Sequence, residues 1–297
     1  MATTMNLPYF ATDLPCPLPT DSETNDSTAI FPKYMGRRVV AVGQHYVIKF
    51  GKQVNLLEGE NMFVSENTNI LVPRVYALYS DSARGVNYII MERIPGESLL
   101  SMWPQLSPSE KDFVLSTLCN YFTELWQVPS PNSYGSLGCR PILDHGFWTE
   151  DPEPVINGPF PSENAFIEGM VQTEFIRQCL ARVLGGHSPT FTHGDFQRKN
   201  IMIQRESGGS GHADGLDTPR PKLALIDWEK PGWYPTYWEH CYALTALRWD
   251  DDWCLCVEKV TELFIPQALW FRTVRLEMRF SGAKTIELFK SGGLQVS

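Results

Sequence analysis

A carboxylate and a carboxamide with four residues between them, then an apolar run ending in a second carboxylate, leave this chain few structures to build. The first block is Thr192-His-Gly-Asp-Phe-Gln-Arg-Lys-Asn-Ile201, with Asp195 and Asn200; the second is Leu225-Ile-Asp-Trp-Glu229, with Asp227. Phosphoryl transfer uses these groups in this order. One Asp accepts the proton of an attacking hydroxyl, while an Asn and a second Asp hold the magnesium ion that bridges the phosphates of ATP. Either block alone is a weak signal. A His-x-Asp pattern occurs by chance, and an Asp after an apolar run often does no more than end a buried strand. The order of the two blocks, and the segments upstream of them, carry the reading.

Those segments lie before residue 100. Val39-Val-Ala-Val42 and Tyr46-Val-Ile-Lys-Phe50 are β-branched and aromatic runs on either side of the turn residues Gly43 and Gln44. They predict two strands, with Lys49 inside the second. Leu56–Val64 has helical apolar spacing and carries Glu58 and Glu60. In kinases a strand lysine paired with a glutamate of the next helix holds the α and β phosphates; Glu58 is the first choice for that partner and Glu60 the second. Val72–Tyr76 predicts a further strand, and Asn87–Met91 a buried one that Glu92-Arg-Ile-Pro-Gly96 closes with a Pro-Gly break. In a two-lobed kinase such a break is the hinge that meets the adenine edge. The backbone at Met91, Glu92 and Ile94 is therefore the candidate adenine contact.

Together these residues resemble the aminoglycoside phosphotransferase and choline kinase superfamily, small-molecule kinases with a protein-kinase-like fold. The specific part is His193-Gly-Asp-Phe-Gln-Arg-Lys-Asn200 with Ile226-Asp-Trp-Glu229, where Gly194 replaces the Arg usual in protein kinases. The Ile94-Pro-Gly96 break, Gly158–Glu163 and Trp233–Glu239 are similar to fungal members in particular, many without an assigned substrate. The resemblance implies an α+β fold. A small antiparallel-sheet N-lobe over 31–93 would bind the nucleotide, and a larger, mainly helical C-lobe over 94–297 would serve catalysis and the acceptor, after a partly ordered arm over 1–30. It also implies roles: Asp195 as catalytic base, Lys49 with Glu58 on the phosphates, and Asn200 and Asp227 as metal ligands. Arg198 and Lys199, inside the same loop, are candidates for positive charge at the moving phosphoryl group, with a solvated loop pair as the alternative. One piece is missing. No Gly-x-Gly-x-x-Gly covers the phosphates, and only Gly36 and Gly43 stand near the first strands.

Capping signals organise the rest. Ser107-Pro-Ser-Glu110 is a capping box with proline at the first helical position, and Val114, Leu118, Tyr121, Phe122, Leu125 and Trp126 mark one face of the helix it opens. A second helix is expected from Ser162 to Leu184, with Phe166, Met170, Phe175 and Leu180 inward and Gly185-Gly186 as its stop. Thr236-Tyr-Trp-Glu239 reads as another capping box, opening a helix through Arg248, and further helical faces follow over 252–280. Strands over 200–204 and 222–227 are joined by the Ser/Gly-rich, flexible stretch 205–220.

Composition excludes several classes. A net charge of −9 and an isoelectric point near 5.2 argue against a nucleic-acid partner, which would need a basic face. No run approaches membrane-spanning length, the start lacks a signal-peptide pattern, and seven cysteines without paired spacing fit a reducing cytoplasm. The expected reaction is Mg-ATP-dependent transfer to a hydroxyl of a small molecule, an amino-alcohol or a sugar-like acceptor. Trp228, Trp233, Tyr234, Tyr237, Trp238, Trp249 and Trp253 with Asp250-Asp-Asp252 suit a cationic acceptor, although a plain aromatic core explains the same density. Asp227 is followed by neither Asp-Phe-Gly nor Ala-Pro-Glu, which disfavours a protein kinase. The alternative left open is a kinase-like fold that binds a nucleotide or metabolite without phosphoryl transfer. The oligomeric state is not encoded in any feature of the sequence.

Overall fold

The computed structural model describes residues 5–31, 36–171, 174–205, 220–245 and 251–276. Its largest sheet has five antiparallel strands in the order β1-β4-β5-β3-β2: β1 is Tyr9–Phe10, β2 Arg37–Val42, β3 Tyr46–Gly51, β4 Val75–Asp81 and β5 Val86–Glu92. Side chains alternate along a strand, so Tyr46, Ile48 and Phe50 face one side of β3 and Val47 and Lys49 the other. In register, Lys49 stands between Val39 of β2 and Ile89 of β5. Tyr46, Ile48 and Phe50 join Val40, Tyr76, Tyr88 and Ile90 in one apolar cluster.

The N-terminal stretch covers that cluster. β1 pairs with β4, and Ala11, Cys16 and Leu18 pack on the cluster. The Tyr46 hydroxyl donates to the Cys16 carbonyl, and Ala29 bridges Val40 of β2. Thr20 and Glu23 form a capping box that starts the short helix Asp21–Asp26. Residues 11–18 therefore lie on the sheet face opposite Lys49 and do not cover a phosphate site at that lysine. Their anchors, Ala11, Cys16 and Leu18, are too widely spaced in the chain to leave a periodic signal.

The chain divides into two compact units: Met1–Leu125 with Gln197–Pro231, and Trp126–Phe196 with Gly232–Ser297. In the first, Glu97–Ser98 pairs with Ile201–Gln204, which pairs in turn with Lys222–Leu225. The helix Pro108–Trp126 begins at the expected capping box: Glu110 Oε2 accepts from the Ser107 N–H (2.8 Å) and Ser107 Oγ from the Glu110 N–H (3.3 Å). It buries Val114, Leu118, Tyr121, Phe122 and Leu125, and the Tyr121 hydroxyl donates to the Leu223 carbonyl (2.9 Å), tying the helix to the hairpin.

In the second unit a small sheet joins Gly135–Ser136, Gly232–Pro235 and Pro189–Thr192. The single helix expected from Ser162 to Leu184 is two, Glu163–Met170 and Glu174–Leu184; Val171 turns extended (φ −142°, ψ 123°) between them. Periodicity does not see this break. Phe166, Met170, Leu180 and Leu184 stay in phase across it and enter the same apolar cluster. Glu163 then pins the far end, accepting from the N–H groups of Gly186 (2.6 Å) and His187 (2.8 Å). The side chain of Phe175, the loop 206–219, and Arg248, Trp249 and Asp250 fall outside the described residues.

Candidate active site

Hairpin register explains how distant motif residues meet. Ile201 pairs with Leu225, and the Ile226 N–H donates to the Asn200 carbonyl at 2.9 Å, so Asn200 and Asp227 share one end of the hairpin whatever joins its other end. Asp227 has φ +64°, a left-handed conformation that few side-chain-bearing residues adopt and that Asp tolerates better than most. The turn is closed from both sides. The Trp228 indole N–H donates to the Leu225 carbonyl (2.9 Å), and Asn61 Nδ2 donates to the Trp228 carbonyl (3.0 Å). Trp228 is buried, so it anchors the turn and does not line a ligand.

Lys49 lies inside a ring of carboxylates. Its Nζ is 2.7 Å from Glu58 and 3.3 Å from Asp227, and it also contacts Glu229. Glu229 accepts in addition from Arg37 Nη1 at 2.7 Å. Glu58 comes from a single turn of α-helix, Leu57–Asn61, which continues as a 3-10 helix over Met62–Asn67, so the helix expected through Val64 is shorter and tighter at its end. Gly59 lets that turn approach the sheet: a Cβ there would lie 2.1 Å from Leu78 Cδ2. Glu60 is buried as well, but the carboxylate on Lys49 is that of Glu58.

Burial separates the cluster into an inner and an outer pair. The side chains of Lys49 and Glu58 are 8% and 4% exposed, those of Asp227 and Glu229 33% and 28%. Burial pushes the Glu58 carboxyl up to about 7 against the pull of Lys49. Burial also works against ionised Glu229, but Lys49 and Arg37 together hold it down at about 2. The Lys49 ammonium is raised despite its burial, because Glu58, Asp227 and Glu229 all favour its charge. Glu58, Asp227 and Glu229 each offer an oxygen within 4.8 Å of the others. Hard carboxylate oxygens, the outer two open to solvent, are the donor set a divalent cation takes, so these residues fit one such as magnesium.

The adenine candidates sit at the end of β5. Met91 is buried, and Glu92 and Ile94 are half-buried. The Glu92 N–H donates to the Arg74 carbonyl and the Arg93 N–H to the His45 carbonyl, both at 2.8 Å, so neither amide is left to a base edge. Arg198 is buried in the 3-10 turn Arg198–Asn200.

In the second unit, Asp195 follows the strand Pro189–Thr192 on a loop in which Gly194 has φ +76°. A glycine adopts that angle without strain, whereas a residue with a side chain rarely does. The loop is held by a buried carboxylate: Glu239 accepts from the Gly194 N–H (3.0 Å) and the Phe196 N–H (3.1 Å). Burial raises the Glu239 carboxyl to about 7, with the loop N–H groups pulling the other way. The capping box expected at Thr236 and Glu239 is therefore replaced. Both Glu239 oxygens serve the Asp195 loop, and Thr236 Oγ1 pairs with His187 Nδ1 at 2.8 Å. Trp233, Tyr234, Tyr237, Trp238 and Trp253 are buried and pack as core, the plainer of the two readings of this aromatic density. Asp251 accepts from the Trp253 N–H (2.9 Å) just ahead of the helix Trp253–Val257.

A family model described as the phosphotransferase enzyme family matches residues 58–255. The chain belongs to this family. A subtelomeric hrmA-associated cluster protein of Aspergillus fumigatus is 31% identical over 108 residues; the match covers 36% of this chain and 21% of that protein, so the chain spans about a fifth of the curated relative's length. Among solved structures, the GDP and kanamycin complex of an aminoglycoside 2″-phosphotransferase is similar with a TM-score of 0.53 at 14% identity, covering 92% of this chain and 97% of that one. A thermostable mutant of aminoglycoside phosphotransferase APH(4)-Ia in its apo form gives 0.51 at 17% identity, covering 84% of each chain. Another thermostable mutant of the same enzyme, in a ternary complex with ADP and hygromycin B, gives 0.51 at 15%, covering 91% and 95%. At these identities the likeness is one of fold, the kinase-like α+β fold expected from the motifs.

Two residues of this family member escaped the sequence reading. Arg37 is an ordinary strand-edge cation until the fold brings Glu229 to it, and Glu239 passes for a helix cap. No local signal distinguishes either. Among the described residues of this family member, no helix is long and apolar enough to cross a membrane.

Proposed function

We propose that this phosphotransferase moves the γ-phosphate of ATP to a hydroxyl of a small molecule. The observation that carries the reading is the cluster of Lys49, Glu58, Asp227 and Glu229, with Asn200 at the same end of the hairpin. On this reading Lys49, oriented by Glu58, binds the α and β phosphates. Asn200, Asp227 and Glu229 are the oxygens that would hold magnesium, which when bound neutralises charge on the transferring phosphate. Ile94 and the Glu92 carbonyl receive the adenine beside Met91, and Arg198 adds positive charge for the phosphoryl group. Asp195 orients the acceptor hydroxyl and takes its proton; that role rests on the motif and on the Glu239-braced loop.

Two of the solved relatives hold kanamycin or hygromycin B beside a nucleotide, which supports a polyhydroxylated, amine-bearing acceptor. Seven free cysteines fit a reducing compartment, the cytoplasm. The test is calorimetric titration of Mg-ATP into the wild type, Asp227→Ala and Asp195→Ala, followed by turnover on amino-alcohols and sugars. We expect Asp227→Ala to lose magnesium-dependent binding and Asp195→Ala to keep it while turnover falls by about two orders of magnitude or more. Equal turnover by Asp195→Ala, or no Mg-ATP binding by the wild type, overturns the reading.

A further inference from the structure

No Gly-x-Gly-x-x-Gly stands near the first strands, where kinases cradle the phosphates with backbone. We propose that Arg37 takes over that task and binds the phosphates of a nucleoside triphosphate through its guanidinium. This rests on the phosphotransferase reading above and adds a residue to it. Arg37 opens β2 opposite Gly51, two positions before Val39, which pairs with Lys49. Residues two apart on a strand share a face, so Arg37 and Lys49 project from the same side of the sheet as diagonal neighbours.

Both cations reach one atom. Glu229 Oε1 contacts Lys49 Nζ and lies 2.7 Å from Arg37 Nη1. Glu229 also belongs to the carboxylate set that fits a divalent cation. Were a divalent cation held by this set, Glu229 would share its charge with it and bind the two cations less tightly. Lys49 keeps Glu58 as its buried partner. Arg37 is half-buried and carries a planar fork of donors, the geometry that matches phosphate oxygens in pairs. The ion pair with Glu229 thus holds the fork at the site before the nucleotide binds.

The experiment is titration of Mg-ATP and of AMP into wild type, Arg37→Ala, Glu229→Gln and the double variant, with a thermal melt of each. We expect Arg37→Ala to weaken Mg-ATP by about tenfold or more and AMP by less than about twofold, in the wild-type and the Glu229→Gln backgrounds alike. If Arg37 only positions Glu229, the Arg37→Ala loss disappears in the Glu229→Gln background, and the proposal is overturned. An equal loss for ATP and AMP, or none, overturns it too. Should Arg37→Ala fail to fold, Arg37→Gln carries the same comparison. A wild type that binds no Mg-ATP removes the phosphotransferase reading itself, a result distinct from any of these.

Discussion

Lys49 is the residue on which the site's electrostatics turn. A buried ammonium costs several kcal/mol of lost hydration, and here three carboxylates offset that cost. Removing it strands their charge. Lys49→Met should lower stability by about 3 to 5 kcal/mol at pH 8, read by urea unfolding, because Glu58 stays buried without a cation. The sign of its pH dependence follows. Without Lys49 the folded-state pKa of Glu58 rises further above its unfolded value, so the folded state binds more protons, and the deficit should shrink as the pH falls from 8 to 5. A deficit independent of pH would show that charge is not its cause. Glu239 is a second test at this scale. Glu239→Gln leaves one acceptor for two loop N–H groups, so turnover should fall at least about tenfold. Mg-ATP affinity should hold, since the proposed nucleotide residues lie elsewhere in the chain; a parallel loss of affinity would remove Glu239 from the role of bracing Asp195.

The single helical turn Leu57–Asn61 does two jobs, presenting Glu58 to Lys49 and Asn61 to the Trp228 carbonyl. Both need the turn close to the sheet, and Gly59 is what permits it. Gly59→Ala should cost about 1 to 3 kcal/mol by overpacking against Leu78. Its cost should fall in a Leu78→Ala background, so the two changes will not add; strict additivity in urea unfolding would mean the turn has room. The hairpin Ile201–Gln204 with Lys222–Leu225 makes the opposite point. Its register brings Asn200 to Asp227 without help from the connecting loop. Deleting 207–217 should leave the melting temperature and turnover within error, because loop closure depends only weakly on length. A large loss of turnover with unchanged melting would make the loop part of the acceptor site.

Across the whole molecule, acid stability is where a buried neutral group should tell. Burial holds His240 down at about 4; its Nδ1 pairs with Thr261 Oγ1 at 3.0 Å, and Nε2 has no hydrogen-bond partner. The unfolded chain takes up that proton near pH 6.5, the folded one only near 4, so stability is full above about 6.5 and drains away as the pH falls between those values. The loss should approach about 2 to 3 kcal/mol by pH 4. His240→Asn should flatten this limb of a pH series of melts; an unchanged limb would mean that other groups dominate acid unfolding.

Much of this protein could be read from its chain. The strands around Lys49, the capping box at Ser107 and the order Asp195, Asn200, Asp227 are local in sequence. Period, capping chemistry and motif spacing depend on near neighbours, and those survive in a one-dimensional reading. The split of the helix at Val171 was hidden because the apolar phase runs through it unbroken. The aromatic density after Asp227 could not be assigned to core or ligand from composition, since the same rings serve either, and only burial decided. The sequence ranked Glu58 ahead of Glu60, and the contact with Lys49 agrees; Arg37 at Glu229 and Glu239 beneath the Asp195 loop were decided by the tertiary structure alone. Each of these two contacts joins a charged side chain to a partner far off in the chain, set by strand register and by which carboxylate loses its water, neither of which a residue's sequence neighbours determine.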